Sequence, residues 1–363
     1  MLKKKIFTPG PTQVHPDVLN ASISSSTYHR SAEFKSFYSS LLEKLRRIFL
    51  TKYHINILTT SGTGGMEAAA VNFCAPGDNV LFINQGRFGA RWGAICRAHG
   101  INAAELQIEY GRSASTDDLK NVNLENIAAV LFTHTETSTA TLTDLKKLAA
   151  YVKQHSDALV IVDAITSIGA VEFRMDDWKI DAAISASQKG LMTQPGIAVI
   201  AYNDTARNKA ENNNMNRFFF DLRKEFVSMT ESGLPVWTPA VGLFYGIDKA
   251  CDIILTEGIE NRWNKTAKMA EYFRKFVTKN GLGLFSLSPS DSLTAVTFPD
   301  RIKSSDIIKA MRENYGIQIA NGQAELKDKI ARVSHMGDLE IEDIREFSDL
   351  FLKEVNKLKV YQY

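Results

Sequence analysis

Apolar positions along this chain follow two different rhythms. Over residues 32–50, Phe34, Phe37, Tyr38, Leu41, Leu45, Ile48 and Phe49 return at helical spacing and predict a helix. From about 55 to 202, short apolar runs alternate with helical stretches. The runs are Ile55–Leu58, Asn79–Ile83, Ala128–Phe132, Leu159–Val162, Ala182–Ile184 and Ile197–Ala201; the helical stretches include Gly65–Phe73, Ala90–His99 and Asp144–Gln154. This alternation predicts an α/β fold, a large, mainly parallel sheet with helices on both faces. After about 245 the rhythm changes. A long helix is expected over 259–279, strands near Leu293–Phe298 and Ile330–Val333, and a closing helix over 341–356. That is a smaller α+β domain, two helices over a small mixed sheet. Pro9, Gly10, Pro11 and Pro16 make residues 1–16 an extended arm. The expected division is an arm at 1–16, a large domain at 17–245 and a small C-terminal domain at 246–363.

Composition narrows the class. The 363 residues are 44% hydrophobic and 23% charged, with a net charge of +2, which describes a soluble globular protein without a long disordered tract. Beyond Lys3-Lys4-Lys5 no basic block calls for nucleic acid or an anionic membrane. No apolar run approaches the roughly 20 residues that cross a bilayer. The basic start reaches Pro9-Gly10-Pro11 before any apolar leader can form. Cys74, Cys96 and Cys251 are scattered and odd in number, so free thiols in a reducing cytoplasm are expected, and no metal site.

Ligands of open α/β sheets bind outside the carboxyl ends of the strands, so chemistry is sought just after each apolar run. Ser61-Gly62-Thr63-Gly64-Gly65-Met66-Glu67 follows one strand and opens a helix. Its glycines let backbone approach a ligand, and helix amides and dipole attract an anion; a tight turn with a cap is the plainer reading. Asp163 ends Leu159–Val162. A carboxylate there is desolvated unless something positive meets it, such as a protonated pyridine nitrogen; a helix cap or a metal ligand would look alike. Lys189 follows Ala182–Ser187. A lysine in a desolvated site beside other cations becomes nucleophilic, whereas a loop lysine in water does not. An anion cradle, a buried carboxylate and an amine on one rim match the phosphate, ring nitrogen and aldehyde of pyridoxal phosphate.

These segments also carry a resemblance. Thr8-Pro9-Gly10-Pro11-Thr12, His29-Arg30-Ser31, Ser61–Glu67, Asn84-Gln85-Gly86-Arg87-Phe88-Gly89, Thr133-His134-Thr135-Glu136-Thr137-Ser138-Thr139, Val162-Asp163 and Ser187-Gln188-Lys189-Gly190 occur in the order found in class V aminotransferases of pyridoxal-phosphate fold type I. Together they resemble the alanine–glyoxylate and serine–pyruvate branch, a relative of phosphoserine aminotransferase. The resemblance implies that Lys189 carries pyridoxal 5′-phosphate as a Schiff base and moves the substrate proton. It implies that Asp163 faces the ring nitrogen and that Thr63, Gly64 and Gly65 hold the phosphate with Gln188 and Ser187. Phe88 would stack on the ring, and Ser138 would lie near the ring hydroxyl and the substrate carboxylate. Arg332 would grip that carboxylate in a bidentate fork. Trp237-Thr238-Pro239 would reach the phosphate of a neighbouring subunit, which implies a homodimer with shared sites. Gly10, His29 and Arg30 join the substrate-binding set, with helix capping and subunit packing as the other reading of His29-Arg30.

The function expected is ping-pong transamination of small amino acids, serine or alanine, with glyoxylate or pyruvate. Phosphoserine–2-oxoglutarate transamination is the alternative and needs extra cations, for which Arg30, Arg87 and Arg91 are candidates. A desulfurase would need a cysteine near residue 320, and the sequence has none there. A non-catalytic binder on the same fold would need neither Lys189 nor Asp163.

Overall fold

The computed structural model describes residues 5–23, 27–299 and 301–360. Lys3 and Lys4, and residues 1–4 of the expected arm, lie outside the described residues, as do 361–363 at the other end.

The larger core is a seven-stranded sheet. Its order is β1 (His54–Leu58), β9 (Ala198–Tyr202), β8 (Ala182–Ala186), β7 (Leu159–Asp163), β4 (Ile127–Thr133), β2 (Asn79–Asn84) and β3 (Asn102–Gln107). Side chains alternate between faces. On β4, Val130 and Phe132 enter one apolar cluster, while Ala129 and Leu131 enter the other. The first cluster is roofed by α2 (Ala32–Phe49), α6 (Leu145–His155) and α9 (Val241–Glu257), the second by α3 (Gly62–Phe73), α4 (Arg87–Ala98) and α7 (Asp204–Glu211). The helix expected at 32–50 is thus α2. Ser31 caps it by accepting from the Phe34 N–H at 3.1 Å, and Leu50 ends it in the left-handed region. Helices α1 (Pro16–Ile23), α5 (Thr116–Lys120) and α8 (Leu222–Glu231) complete this part.

The run Ile197–Ala201 departs from the parallel reading. β9 runs antiparallel to both β8 and β1. The stretch 187–197 that joins β8 to β9 contains no helix, and a parallel return needs a crossover of about a dozen residues or more, usually helical. Strand β3 escaped the apolar pattern because it is an edge strand with exposed polar side chains such as Asn102, Glu105 and Gln107.

The smaller core is a four-stranded sheet in the order β10 (Gly283–Leu284), β11 (Leu293–Thr297), β13 (Ile330–Ser334) and β12 (Ala320–Asn321). Its pairings are antiparallel, not mixed. Three helices cover it rather than two: α10 (Ile259–Lys279), α11 (Ser304–Tyr315) and α12 (Ile341–Val360). Residue 245 lies inside α9, and Phe244, Ile247, Ala250, Cys251 and Ile254 of that helix all join the large core. By packing, the first dozen residues assigned to the C-terminal domain therefore belong with the larger core. A two-stranded hairpin, β5 (Thr135–Glu136) with β6 (Thr141–Leu142), projects from the end of β4.

The arm is a strap between the cores. Ile6 bridges Gln318, Gln13 bridges Gly337, and the Ser334 N–H donates to the Phe7 carbonyl at 2.8 Å. Midway, the Thr12 N–H donates to the Gln188 carbonyl at 3.1 Å.

Candidate active site

The carboxyl ends of β1, β2, β4, β7 and β8 share one rim, because β8 is parallel to β7, β4 and β2, and β1 and β8 are both antiparallel to β9. The segments after them are the sequence motifs. After β8 comes Lys189, whose Nζ donates to the Pro9 carbonyl at 2.5 Å. Gly10 lies against the same side chain: a Cβ there would stand 2.4 Å from Nζ. Burial, then the charge of Arg332, pulls the amine down to about 8 against partial support from Asp163.

Asp163 is the last residue of β7 and is 4% exposed. Its Oδ1 accepts from the Ile165 N–H at 3.0 Å, and Arg91 and Lys189 act on it through charge, with no ion pair to either among the described residues. Burial is the chief reason its carboxyl rises to about 7; the nearby charge of Glu136 adds to the rise.

The β1–α3 turn presents a helix start. Ser61 caps α3 by accepting from the Gly64 N–H at 3.2 Å. Gly65 is required by packing, since a Cβ would meet Ile184 and Ala198 at 2.8 and 2.9 Å. Thr63 is exposed, and its Oγ1 accepts from Arg91 Nη1 at 2.9 Å. The Oε1 of Gln188, beside Lys189, is buried without a hydrogen-bond partner.

Phe88 sits in the first turn of α4, with the Arg91 guanidinium 4.6 Å from its ring centre. Ser138 is buried; its Oγ donates to Glu136 at 2.5 Å and accepts from the Arg87 N–H at 3.0 Å. Arg332, on β13, is 5% exposed and spans the two cores. Its Nη1 donates to the Thr137 carbonyl at 3.1 Å and its Nε to the Asn321 carbonyl at 2.9 Å. Burial lowers it to about 10.

Some expected site residues are engaged elsewhere. The Ser187 hydroxyl donates to the Gln194 carbonyl at 2.7 Å and accepts from the Ile197 N–H at 3.3 Å, so it closes the 187–197 loop. Arg30 donates to the Pro235 and Val236 carbonyls at 3.3 and 2.9 Å, and His29 makes an edge contact with Tyr28. Arg30 thereby holds the chain between α8 and α9. Thr238 is exposed on that segment, two residues before the Ala240 N–H that donates to Thr59 Oγ1 at 3.1 Å.

Glu136 lies within the Thr133–Thr139 motif, where the sequence alone assigns it no role. It is fully buried and accepts from the N–H groups of Phe88, Gly89 and Ser138 at 3.0, 2.9 and 3.1 Å. It thus caps α4 from outside the helix. A Cβ on Gly86 would meet Ser138 Oγ and Glu136 within 2.4–2.7 Å, which is the one sequence signal that these strands close on each other. Among the described residues no cluster of three or more His, Cys, Asp or Glu is arranged to hold a metal, and no helix is long and apolar enough to cross a membrane.

The chain is similar to known proteins in sequence and fold. Residues 13–347 match the family described as aminotransferase class-V. The L-aspartate–glyoxylate aminotransferase of Paracoccus denitrificans is 32% identical over 92% of this chain and 86% of its own. The serine–glyoxylate aminotransferase of Methylorubrum extorquens is 31% identical over 93% of this chain and 87% of its own. The crystal structure of an alanine–glyoxylate aminotransferase from Nostoc sp. superposes with a TM-score of 0.92 at 25% identity, over 99% of this chain and 96% of that one. A rim with an amine, a carboxylate and a helix start, together with a family match across most of the length, makes this chain a member of the class V aminotransferases.

Proposed function

We propose that the chain is a pyridoxal-phosphate-dependent aminotransferase for small amino acids, serine or alanine among them, with glyoxylate or pyruvate as acceptor. Class V aminotransferases depend on that cofactor. The observation that carries the reading is a set of incomplete partners on one rim. Among the described residues, Asp163 is a buried carboxylate that feels Arg91 and Lys189 through charge but pairs with neither, Gln188 Oε1 is a buried acceptor without a donor, and the Lys189 amine donates to a backbone carbonyl. The residues fit the group: Lys189 would bond its aldehyde carbon, Asp163 would face its ring nitrogen, and Thr63, Gly64 and Gly65 would hold its phosphate on the start of α3. Phe88 offers the flat apolar face for its ring, and Ser138 a hydroxyl near it.

When bound, the cofactor supplies an electron sink for the bond broken at the amino acid's Cα. The protein's own residues do the rest. Arg332 orients the substrate α-carboxylate with a guanidinium that remains charged at neutral pH. The Lys189 amine, once free, takes the Cα proton and returns it on the other side of the exchange, a role that suits an amine near 8. Asp163, as the carboxylate, holds a proton on the ring nitrogen. The relatives named above carry different donors in their names, aspartate, serine and alanine, and share glyoxylate as acceptor. That shared element supports the acceptor. Exposed Thr238, with exposed Phe218, Val227 and Tyr28 on neighbouring segments, supports assembly as a homodimer. Arg30, a candidate cation of the phosphoserine alternative, spends two donors on backbone carbonyls, as Arg332 does.

Reduction of the loaded protein with borohydride should fix the cofactor on the peptide that contains Lys189, as read by mass spectrometry. A cofactor recovered wholly unattached, or attached to another lysine, rules the assignment out. A donor panel of serine, alanine, aspartate and phosphoserine against glyoxylate and 2-oxoglutarate then identifies the substrates.

A further inference from the structure

One cation of the rim has no task in this scheme. Arg91 is on α4, one turn after Phe88, with a half-buried guanidinium. It spends one of its five donors on Thr63 Oγ1 at 2.9 Å, in the first turn of α3, and its Cζ stands 4.6 Å from the Phe88 ring centre. Asp163 and Glu136 act on it through charge alone, with no ion pair to either among the described residues. Burial is what chiefly disfavours its charge, and Arg87 adds to that against support from Asp163 and Glu136. The start of α3 already carries the positive end of the helix dipole, and Lys189, Arg87 and Arg332 add further positive charge around the rim. The first amides of a helix have no intrahelical acceptor. Cation, helix start and Thr63 hydroxyl thus converge on a position suited to an anion.

We propose that Arg91 binds the cofactor's phosphate together with the α3 amides and sets how tightly this chain retains the cofactor. The inference rests on the pyridoxal-phosphate reading and adds a residue to it. Geometry favours the phosphate over a substrate carboxylate. Thr63, the hydrogen-bond partner of Arg91, belongs to the helix start, whereas the carboxylate grip is assigned to Arg332 on the other core.

The test compares the full-length chain, freed of cofactor, with Arg91→Gln and Arg91→Lys by equilibrium dialysis against pyridoxal 5′-phosphate, pyridoxal and inorganic phosphate. Losing a charge-assisted contact should weaken pyridoxal 5′-phosphate by about 10- to 100-fold in Arg91→Gln, with Arg91→Lys between. Pyridoxal, which lacks the phosphate, should bind all three proteins within about threefold, and inorganic phosphate should compete less well in Arg91→Gln. Equal weakening of both vitamers would mean that Arg91 acts through the Phe88 platform and would overturn the proposal. Unchanged binding, or a change confined to KM for aspartate, would overturn it as well. Wild-type chain that binds neither vitamer would instead sink the cofactor reading itself. Circular dichroism of each variant checks folding, and Arg91→Lys keeps the test decisive should Arg91→Gln fail to fold.

Discussion

The Nζ of Lys189 is held 2.5 Å from the carbonyl oxygen of Pro9, by an arm that is itself bonded to the strand carrying Arg332 through Phe7 and Ser334. Gly10 makes that approach possible, because it has a φ of +137° and no Cβ to strike the amine. Gly10→Ala should therefore displace Lys189 while the cores stay folded. A displacement of about 1 Å in a reacting group costs on the order of 100-fold in rate. We expect kcat/KM to fall by about that factor, with the far-ultraviolet circular dichroism unchanged. Wild-type kinetics in this variant would show that the arm does not position the amine.

The amine at about 8 sets a pH window. Its ordinary value is 10.5, so between about 8 and 10.5 the folded chain binds fewer protons at this site than the unfolded chain. The site's contribution to stability thus rises with pH across that interval, and below it the folded state carries the full cost of a buried ammonium. Capture of pyridoxal phosphate needs the free amine, so its rate should climb with pH and level off above about 8. Arg332→Gln removes the largest repelling charge, which raises the amine's pKa and moves the midpoint to higher pH. Stopped-flow absorbance measures it; a midpoint that stays or falls contradicts the electrostatic account.

Asp163 carries the opposite sign. Its carboxyl rises from 3.8 to about 7 in the folded chain, so folding takes up a proton between those values. The site's contribution declines as pH rises through that interval and stays unfavourable above about 7. Asp163→Asn keeps an oxygen for the Ile165 N–H and removes the charge. The cofactor-free variant should melt higher than wild type at about pH 8 and show less loss of stability between about pH 4 and 7. With cofactor, it should transaminate about 1,000-fold more slowly, the scale of a lost preorganised electrostatic partner. A variant that melts lower and works normally would remove Asp163 from the site.

Much of this was legible in the sequence because burial and period agree. The α2 stripe and the two-sided apolar runs of β4, β7 and β8 could only be a roofing helix and central strands. The strand-end positions of Asp163 and Lys189 then followed from sheet topology. Illegible parts have local causes. β3 lies at an edge, where polar side chains mask the strand period. The direction of β9 is set by the length of a connection, not by its own residues. Ser187 and Arg30 hold the right positions by motif, yet their donors turn to loop carbonyls that no spacing rule foresees. Glu136 looked like one more polar residue in a run of threonines; its role emerges only when the hairpin it starts folds back onto α4.

That position of Glu136 yields a prediction with two separable readings. Its carboxylate satisfies three backbone N–H groups and the Ser138 hydroxyl, all at or beside the start of α4. Glu136→Ala leaves these buried donors without an acceptor and should destabilise the chain by about 3–5 kcal/mol. Glu136→Gln keeps one acceptor oxygen but turns an amide N–H₂ towards some of the donors, so a smaller loss of about 1–2 kcal/mol is expected. Urea denaturation measures both. The carboxylate also raises Asp163 through its charge and supports the charge on Arg332. In Glu136→Gln the Asp163 titration should therefore move to lower pH, because a repelling neighbour has gone, and Arg332 should lose its main negative neighbour. Carbon-13-detected carboxyl shifts of the cofactor-free chain report the first change directly. A drop in stability with an unmoved Asp163 midpoint would reduce Glu136 to a helix cap; a moved midpoint makes it the group that holds both the ring platform at Phe88 and the charge state of the rim.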